Sequence, residues 1–336
     1  MWRKPGSASR PTSSAERKFL QRALRESPPL RSDGRGVSEL RSIAMTLRRG
    51  MRADDAESHA EVRWGKTRVL TVVSAEIVRP FADRPIEGTI LFGVELSSMA
   101  VDGHSSGARA APFAVELRAT LEAVLRDGRV IDTEALCIVP GEKVWALRID
   151  VHVMDDDGNV GDAAVLSALA ALKHFRRPHI SYEGQGAGAA VRVHTFEERT
   201  PVALSIHHVP FSVSFALFDL PGVKAGGSGK AASHSDESTS EVRLAIDPTA
   251  LEQSIMDGRL SFVLNAHREV VAVRKSSSGS GGAGCAVPQD LVMRGMLQAV
   301  ASVATLDAVL TAALVEGEAE AERVRLSARP TEQIGN

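Results

Sequence analysis

The run Asp155-Asp156-Asp157-Gly158-Asn159 places three carboxylates and an amide in five residues, which is the chemistry of a hard-cation site. A calcium loop needs a glycine at loop position 6 and ligands at positions 1 and 12. With Gly158 at position 6, position 1 is Val153 and position 12 is Ala164, and neither can ligate. The run therefore predicts a polar turn, with Asp162 placed to cap or charge the start of a following helix. His207 and His208 lie in an apolar stretch that reads as strand. Neighbours on a strand face opposite ways, so the two cannot share one metal ion. Cys137 sits in another apolar strand and reads as core. Cys285 follows a Gly/Ser run, more exposed and without a redox partner nearby. Gly184, Gly186 and Gly188 lack the spacing and the strand–turn–helix frame of a dinucleotide site. These groups predict neither a metal nor a cofactor.

The elements around the acidic turn are legible from periodicity. Val144, Ala146, Ile149, Val151 and Val153 read as a strand running into it. Gly161 to Leu172 reads as a buried helix leaving it, with Val165, Leu166, Leu169 and Leu172 among its apolar positions. Upstream, Ile43, Met45 and Leu47 alternate, as do Ala60, Val62 and Trp64. The turn Gly65-Lys66-Thr67 leads into Val69 to Val73, and Ile90, Phe92, Val94 and Leu96 alternate again. Leu40 to Ser98 thus reads as an antiparallel meander. Phe113, Leu117, Leu121 and Val124 predict an amphipathic helix over 109–127. Leu136 to Val139 returns as a strand. Ser14 to Arg25 reads as a short helix with Phe19, Leu20, Ala23 and Leu24 on one face, which needs a docking partner. Val202 to Phe218 suits buried strands, Val242–Ile246 and Leu260–Leu264 suit further strands, and Pro288 to Val315 suits a long helix broken once near Ser302. Residues 1–15, 222–240 and 276–284 have flexible compositions, and 319–336 form a charged tail. Each half runs from strands into helix, predicting an α+β chain with units at 16–195 and 196–318.

The chain has 336 residues, enough for two such units. Its net charge of −2 is unlike that of a free-standing nucleic-acid binder, so any contact with nucleic acid must come from a local patch or be shared with a partner. Two cysteines argue against a disulfide scaffold and for a reducing compartment. No apolar run is read as approaching the roughly 18 residues of a membrane span, and no secretory signal is expected.

Four blocks resemble the RNase PH superfamily: Arg31-Ser32-Asp33-Gly34-Arg35; Gly65-Lys66-Thr67-Arg68-Val69-Leu70; Ile131 to Trp145; and the strand–turn–helix ending at Leu172-Lys173-His174-Phe175-Arg176-Arg177-Pro178. The last two are very similar to one branch, the eukaryotic RNA exosome ring subunits called exosome component nine. Glu87 to Phe92, Ser205-Ile206-His207-His208 and Met256-Asp257-Gly258 reinforce it. The resemblance covers about residues 17–315. It implies an RNase PH-like fold with a ribosomal protein S5 domain 2-like core. It also implies a hexameric ring with other RNase PH-like subunits, S1/KH-domain cap proteins, and RNA threading a central channel.

In active relatives a helix of the form R-x-x-E-I-x-R-x-I-x-R holds phosphate and RNA, and two aspartates six residues apart position metal and substrate. Here the three arginine positions carry Phe113, Ala119 and Ala123, with Arg109 and Arg118 out of register. If Asp257 is the second aspartate, the first falls on Leu251. The resemblance therefore implies a catalytically degenerate scaffold subunit with no catalytic residues, serving 3′→5′ RNA processing and decay, including rRNA maturation and mRNA turnover. The alternative is an active phosphate-dependent 3′→5′ exoribonuclease. The expected RNA contacts are Arg79 and Arg84, in the loop after the strand Val69 to Ile77, and Arg109 and Arg118 beside the degenerate helix. Such contacts are to phosphates and insensitive to sequence. The family places such rings in the nucleus, including the nucleolus, and in the cytoplasm.

Overall fold

The computed structural model describes residues 13–26, 29–50, 56–97, 110–183, 190–195, 198–220, 241–277 and 286–328. The chain begins with α1 (Ser14–Arg25), β1 (Ile43–Arg49), β2 (Glu57–Trp64), β3 (Thr67–Val78), β4 (Thr89–Leu96) and α2 (Ala110–Leu121). There follow β5 (Cys137–Val139), β6 (Lys143–Asp155), α3 (Val160–His174), β7 (Arg176–Arg177), β8 (Ile180–Glu183), β9 (Ala190–Val193) and β10 (Val202–Ala203). The last part holds β11 (Pro210–Leu220), β12 (Glu241–Ile246), α4 (Ala250–Ile255), β13 (Gly258–Asn265), β14 (Val270–Ser277) and α5 (Gln289–Ala328).

The first sheet runs β1-β2-β3-β6-β4, with β5 paired to β6. The tight turn at Gly65, which has φ +61, joins β2 to β3 in the register Trp64 to Thr67. Alternation then buries Ala60, Val62 and Trp64 on one strand and Val69 and Val73 on the next. The meander expected over Leu40–Ser98 stops at β3. β6 inserts beside β3, and β4 pairs parallel to β6 rather than following β3. β6, the longest strand at 13 residues, lies between β3 and β4, a placement that local alternation does not encode.

The second sheet, β12-β11-β13-β14, is antiparallel throughout. α3 is apolar on every side, and Ala163 to Leu172 are all buried between β2 and β3 on one side and β11 on the other. α5 packs on β1, α3, β11 and β13. The two sheets therefore share one core across the expected unit boundary. α5 crosses β1 at Gly317, where an added Cβ would lie 2.9 Å from Leu47 Cβ and 3.3 Å from His174 Nε2. Burial there, with Arg49 beside it, pushes His174 down to about 4.

Several local expectations change. α5 passes Ser302 unbroken, because the Ser302 hydroxyl bonds back to the Gln298 carbonyl at 3.0 Å, and the helix continues through much of the expected tail. α5 also carries an 18-residue window apolar enough to cross a membrane, which the sequence reading passed over because scattered polar residues break the run. Glu122–Asp127 continue α2 as a π-helical turn. On α1, Leu20 and Leu24 are buried against the second sheet, whereas Phe19 is 70% exposed. His207 and His208 precede β11 in a loop, not a strand. Cys137 is half-buried rather than core. Ser276 and Ser277 close β14 instead of opening a flexible insertion. Residues 222–240, 278–284, Gly184, Gly186, Gly188, Arg109 and Cys285 lie outside the described residues.

One buried residue joins these parts. Asp247, with φ 50, accepts from the Arg41 backbone N–H at 2.9 Å, Arg41 Nε at 2.9 Å, Arg41 Nη2 at 2.7 Å, Trp64 Nε1 at 3.0 Å and Asn159 Nδ2 at 2.9 Å. Arg35 Nη1 reaches the same carboxylate at 3.1 Å. Burial alone would raise this carboxyl, but the Arg41 guanidinium outweighs it and holds Asp247 below the usual range. Arg31 lies beside it, fully buried, and grips Glu252 through Nε at 2.8 Å and Nη2 at 2.6 Å while donating to the Ile246 and Asp247 carbonyls. Arg31→Met alone is expected to cost about 3–5 kcal/mol, because it strands a buried carboxylate. The double variant Arg31→Met/Glu252→Leu should recover much of that loss in urea denaturation, and a double variant no more stable than the single one would contradict this account.

Candidate functional site

A cleft of about 360 Å³ opens between α2, the start of α3 and the face of β11, β13 and β14. Its geometry follows from the elements just described. α2 and α3 lie on the concave side of the first sheet, and β13 brings alternate residues of the second sheet to meet them. Phe113, Glu116, Leu117, Ala119 and Thr120 form the α2 wall, so two of the three positions where the resemblance expects arginine face this cavity, and the charge that α2 does bring to it is the Glu116 carboxylate. Gly161 opens the first turn of α3. Arg259, Arg274 and Lys275 supply the basic side from β13 and β14. Sequence analysis does not single out these three: Arg259 lies just before the expected strand Leu260–Leu264, and no element is expected over Val270–Lys275. A basic pair on alternating apolar residues (Val271, Val273) was the available signal.

Asp162 is the buried acid of the cleft. It does not cap α3: Asn159, in a left-handed conformation, occupies that position without a side-chain cap. Asp162 instead accepts from Ser212 Oγ at 2.6 Å, Ser214 Oγ at 2.8 Å and the Ser214 backbone N–H at 2.7 Å. Burial pushes its carboxyl above the usual range, and the serine donors only partly offset that. It staples α3 to β11 and has no oxygen free of neutral donors to serve as a general base.

Neither Leu251 nor Asp257, the positions matched to the aspartates of active relatives, lines the cleft. Leu251 is 48% exposed on α4. Asp257 turns to the other side of the sheet, where it accepts from the Asp219 N–H at 2.8 Å and faces Arg17 of α1 at 3.7 Å. The residues six apart that reach the cleft region are Gln253 and Arg259. With its amide oxygen turned inward, Gln253 accepts from Arg259 Nη2 at 2.7 Å and from the Asn159 N–H at 2.8 Å. This amide–guanidinium pair fastens the end of α4 to β13 and to the turn before α3. Among the described residues no group of three His, Cys, Asp or Glu is placed to hold a metal ion.

The arginines singled out for RNA stand elsewhere. Arg79 and Arg84 share the exposed loop between β3 and β4, and Arg84 faces Glu87 at 3.5 Å. Arg118 is on the exposed side of α2, bonded to Glu122 at 3.0 Å. None of the three lines the cleft.

Residues 39–178 match domain 1 of the 3′ exoribonuclease family, RNase PH, and residues 208–302 match domain 2. The exosome complex component RRP45 of Bos taurus is 40% identical over 266 residues, which is 79% of this chain and 53% of that protein. RRP45 of Saccharomyces cerevisiae is 35% identical over 264 residues, covering 79% of this chain and 80% of that protein. A solved Archaeoglobus fulgidus exosome with RNA bound to the active site has a chain that superposes with TM-score 0.63 at 24% identity, covering 87% of this chain and 96% of that one. The chain has the RNase PH-like fold and belongs to the 3′ exoribonuclease family. Within that family it is similar to proteins named exosome complex component RRP45. It spans about half the length of the vertebrate relatives it matches.

The Asp162 arrangement predicts a pH effect. A native carboxyl raised above its unfolded value keeps its proton to higher pH than the unfolded chain does. The native state then binds more protons than the unfolded state, so this group's contribution to stability falls as pH rises from about 4 toward the native value. Asp162→Asn can keep all three bonds, since hydroxyls reverse direction, and should remove that slope in urea denaturation. Asp162→Leu should cost about 1–3 kcal/mol at neutral pH, because it orphans the buried Ser214 N–H. An unchanged slope in Asp162→Asn would refute this assignment.

Proposed function

We propose that this chain is a non-catalytic ring subunit of an RNA exosome, the counterpart of the branch called exosome component nine. It assembles with other RNase PH-like subunits beneath S1/KH-domain caps and helps to line the channel that RNA threads on its way to 3′→5′ processing or decay. We place it in the nucleus, nucleolus and cytoplasm on the same ground. The observation that carries the reading is the wall of the cleft. Phosphorolysis must neutralise inorganic phosphate and the scissile diester together, and it must also manage a cation or a proton. Phe113, Ala119 and the Glu116 carboxylate leave the α2 wall without a positive charge, Asp162 is committed to serines, and neither Leu251 nor Asp257 lines the cleft. Similarity to RRP45 proteins over 79% of the chain supports the partners. Arg79, Arg84, Arg109 and Arg118 remain the proposed phosphate contacts.

The full chain, incubated with RNA and inorganic phosphate, should release no nucleoside diphosphate. When tagged in native extract, it should elute in one large particle with other RNase PH-like and S1/KH-domain proteins. Phosphate-dependent diphosphate release by the purified chain, or recovery of the chain alone, would reject the reading.

A further inference from the structure

β8 and β9 pair antiparallel as a two-stranded sheet, with Ser181 opposite Arg192. The His194 N–H bonds the His179 carbonyl at 2.9 Å and extends that pairing by one step. Alternate residues of a strand share a face, so His179, Ser181, Arg192 and His194 project from one side. The chain then turns back: the Arg199 N–H bonds the Thr195 carbonyl at 3.2 Å, and the Glu198 N–H bonds Thr195 Oγ1 at 3.3 Å. That turn brings Glu198 to the His194 ring. His194 Nδ1 lies 2.9 Å from Glu198 Oε2, and His194 Nε2 lies 2.8 Å from Ser181 Oγ. A carboxylate can only accept, so Nδ1 carries the proton of the neutral ring and Nε2 accepts from the Ser181 hydroxyl.

The surroundings hold this order in place. The bond from His194 keeps the Glu198 carboxyl below its usual range, so it stays ionised. His194 is buried, and the His179 ring packs edge-on against it at 5.8 Å, which fixes its plane. Ser181 is half-buried. Arg192 lies 3.7 Å from Glu198 Oε1 and brings positive charge to the same face. A hydroxyl bonded to a base that an acid orients is the arrangement of an activated nucleophile. We propose that Ser181, His194 and Glu198 form a nucleophilic site that cleaves small carboxylic esters. Ser181 Oγ attacks the acyl carbon as its proton passes to His194 Nε2, and the Glu198 carboxylate stabilises the imidazolium. The Arg192 guanidinium supplies charge for the oxyanion. As the intermediate collapses, the ester C–O bond breaks and the leaving oxygen takes the proton from His194, departing as the alcohol. A water that gives its proton to the same nitrogen then releases the acid and restores the serine. These residues do not line the cleft, and the proposal does not rest on the ring-subunit reading, in which the chain is non-catalytic for phosphorolysis.

The full chain is incubated with a fluorophosphonate probe, the site and rate of labelling are read by mass spectrometry, and release of p-nitrophenol from p-nitrophenyl acetate is followed in parallel. Label should appear on Ser181 at least about 100-fold faster than on the urea-unfolded chain, the low end of what a positioned general base contributes. Ser181→Ala, purified in the same way, should lose both the label and the ester turnover. His194→Phe keeps an aromatic ring against His179 but removes the base, and should slow both by about 100-fold. Glu198→Gln keeps a side chain of the same shape at Nδ1 but no longer fixes the tautomer, and should slow both at least about tenfold. Labelling of Ser181 no faster than in urea, or label confined to other residues, would overturn the proposal. So would rates unchanged in His194→Phe and Glu198→Gln, which would make the three residues struts of the hairpin. Labelling of Ser181 with no release of p-nitrophenol would overturn it as well.

Discussion

The Asp247 carboxylate is the constraint on which the rest of the structure depends. It is fully buried at the end of β12, yet five N–H donors from three distant stretches converge on it, at Arg41, Trp64 and Asn159, and Arg35 adds a sixth. A buried carboxylate is tolerated only when every lone pair is met, so each of those stretches is fixed by the need to meet it. Arg41 then carries the constraint outward, donating to the Asp157 and Gly158 carbonyls at 3.0 Å each. Those carbonyls belong to the acidic turn that opens α3. Gly158, with φ +90, is required there because a Cβ would meet Ala250 N at 2.5 Å. The acids that resembled a cation loop thus form a tight joint between the two sheets.

The joint holds the family fold together without drawing on the cleft. The Arg31-to-Arg35 motif is spent on architecture: Arg31 holds Glu252 and two carbonyls, Asp33 bonds Arg35, and Arg35 reaches Asp247. None of these contacts requires the cleft to bind anything. The α2 wall can lose its charges while the sheets, α3 and α5 keep their places. On the ring-subunit reading, a subunit whose task is shape retains the first set of residues and is free to change the second, to which Phe113 and Ala119 belong.

The sequence made the local elements legible and left their pairing hidden. α1, β2 and β3 follow from periodicity, because one face of each is more buried than the other, whereas α3 follows from an apolar run buried on every side. β4 was recognisable as a strand, but its parallel place beside β6 depends on which neighbour buries more surface, and alternation carries no such information. The break expected near Ser302 does not occur in α5, since a serine can satisfy its hydroxyl on the preceding turn and stay helical. At the cleft, the loss of arginines from α2 was visible in register. The direction of Asp257 was not, because Asp257 lies in the turn before β13 and faces α1, whereas Arg259 lies in the strand and faces the cleft. Arg259, Arg274 and Lys275 become a group only when β13 and β14 are paired.

α5 shows why composition and position must be weighed together. By length and composition alone it passes for a membrane span. Its inner face, with Ala299, Val303, Leu306, Leu310 and Ala313, is buried in the core shared by both sheets, and withdrawing it would open that core to water. Glu318 fastens its far end to Arg49 at 2.8 Å and also to Arg176. A lipid environment would have to displace both the apolar seam and this ion cluster. The outer face is apolar too, with Leu297 69% and Val315 68% exposed. A protein that works alone gains nothing by leaving such side chains in water, whereas a subunit that packs into an assembly exposes them only until it is assembled. The apolar character of α5 therefore has two sources, a core on one side and, on the ring reading, an assembly on the other.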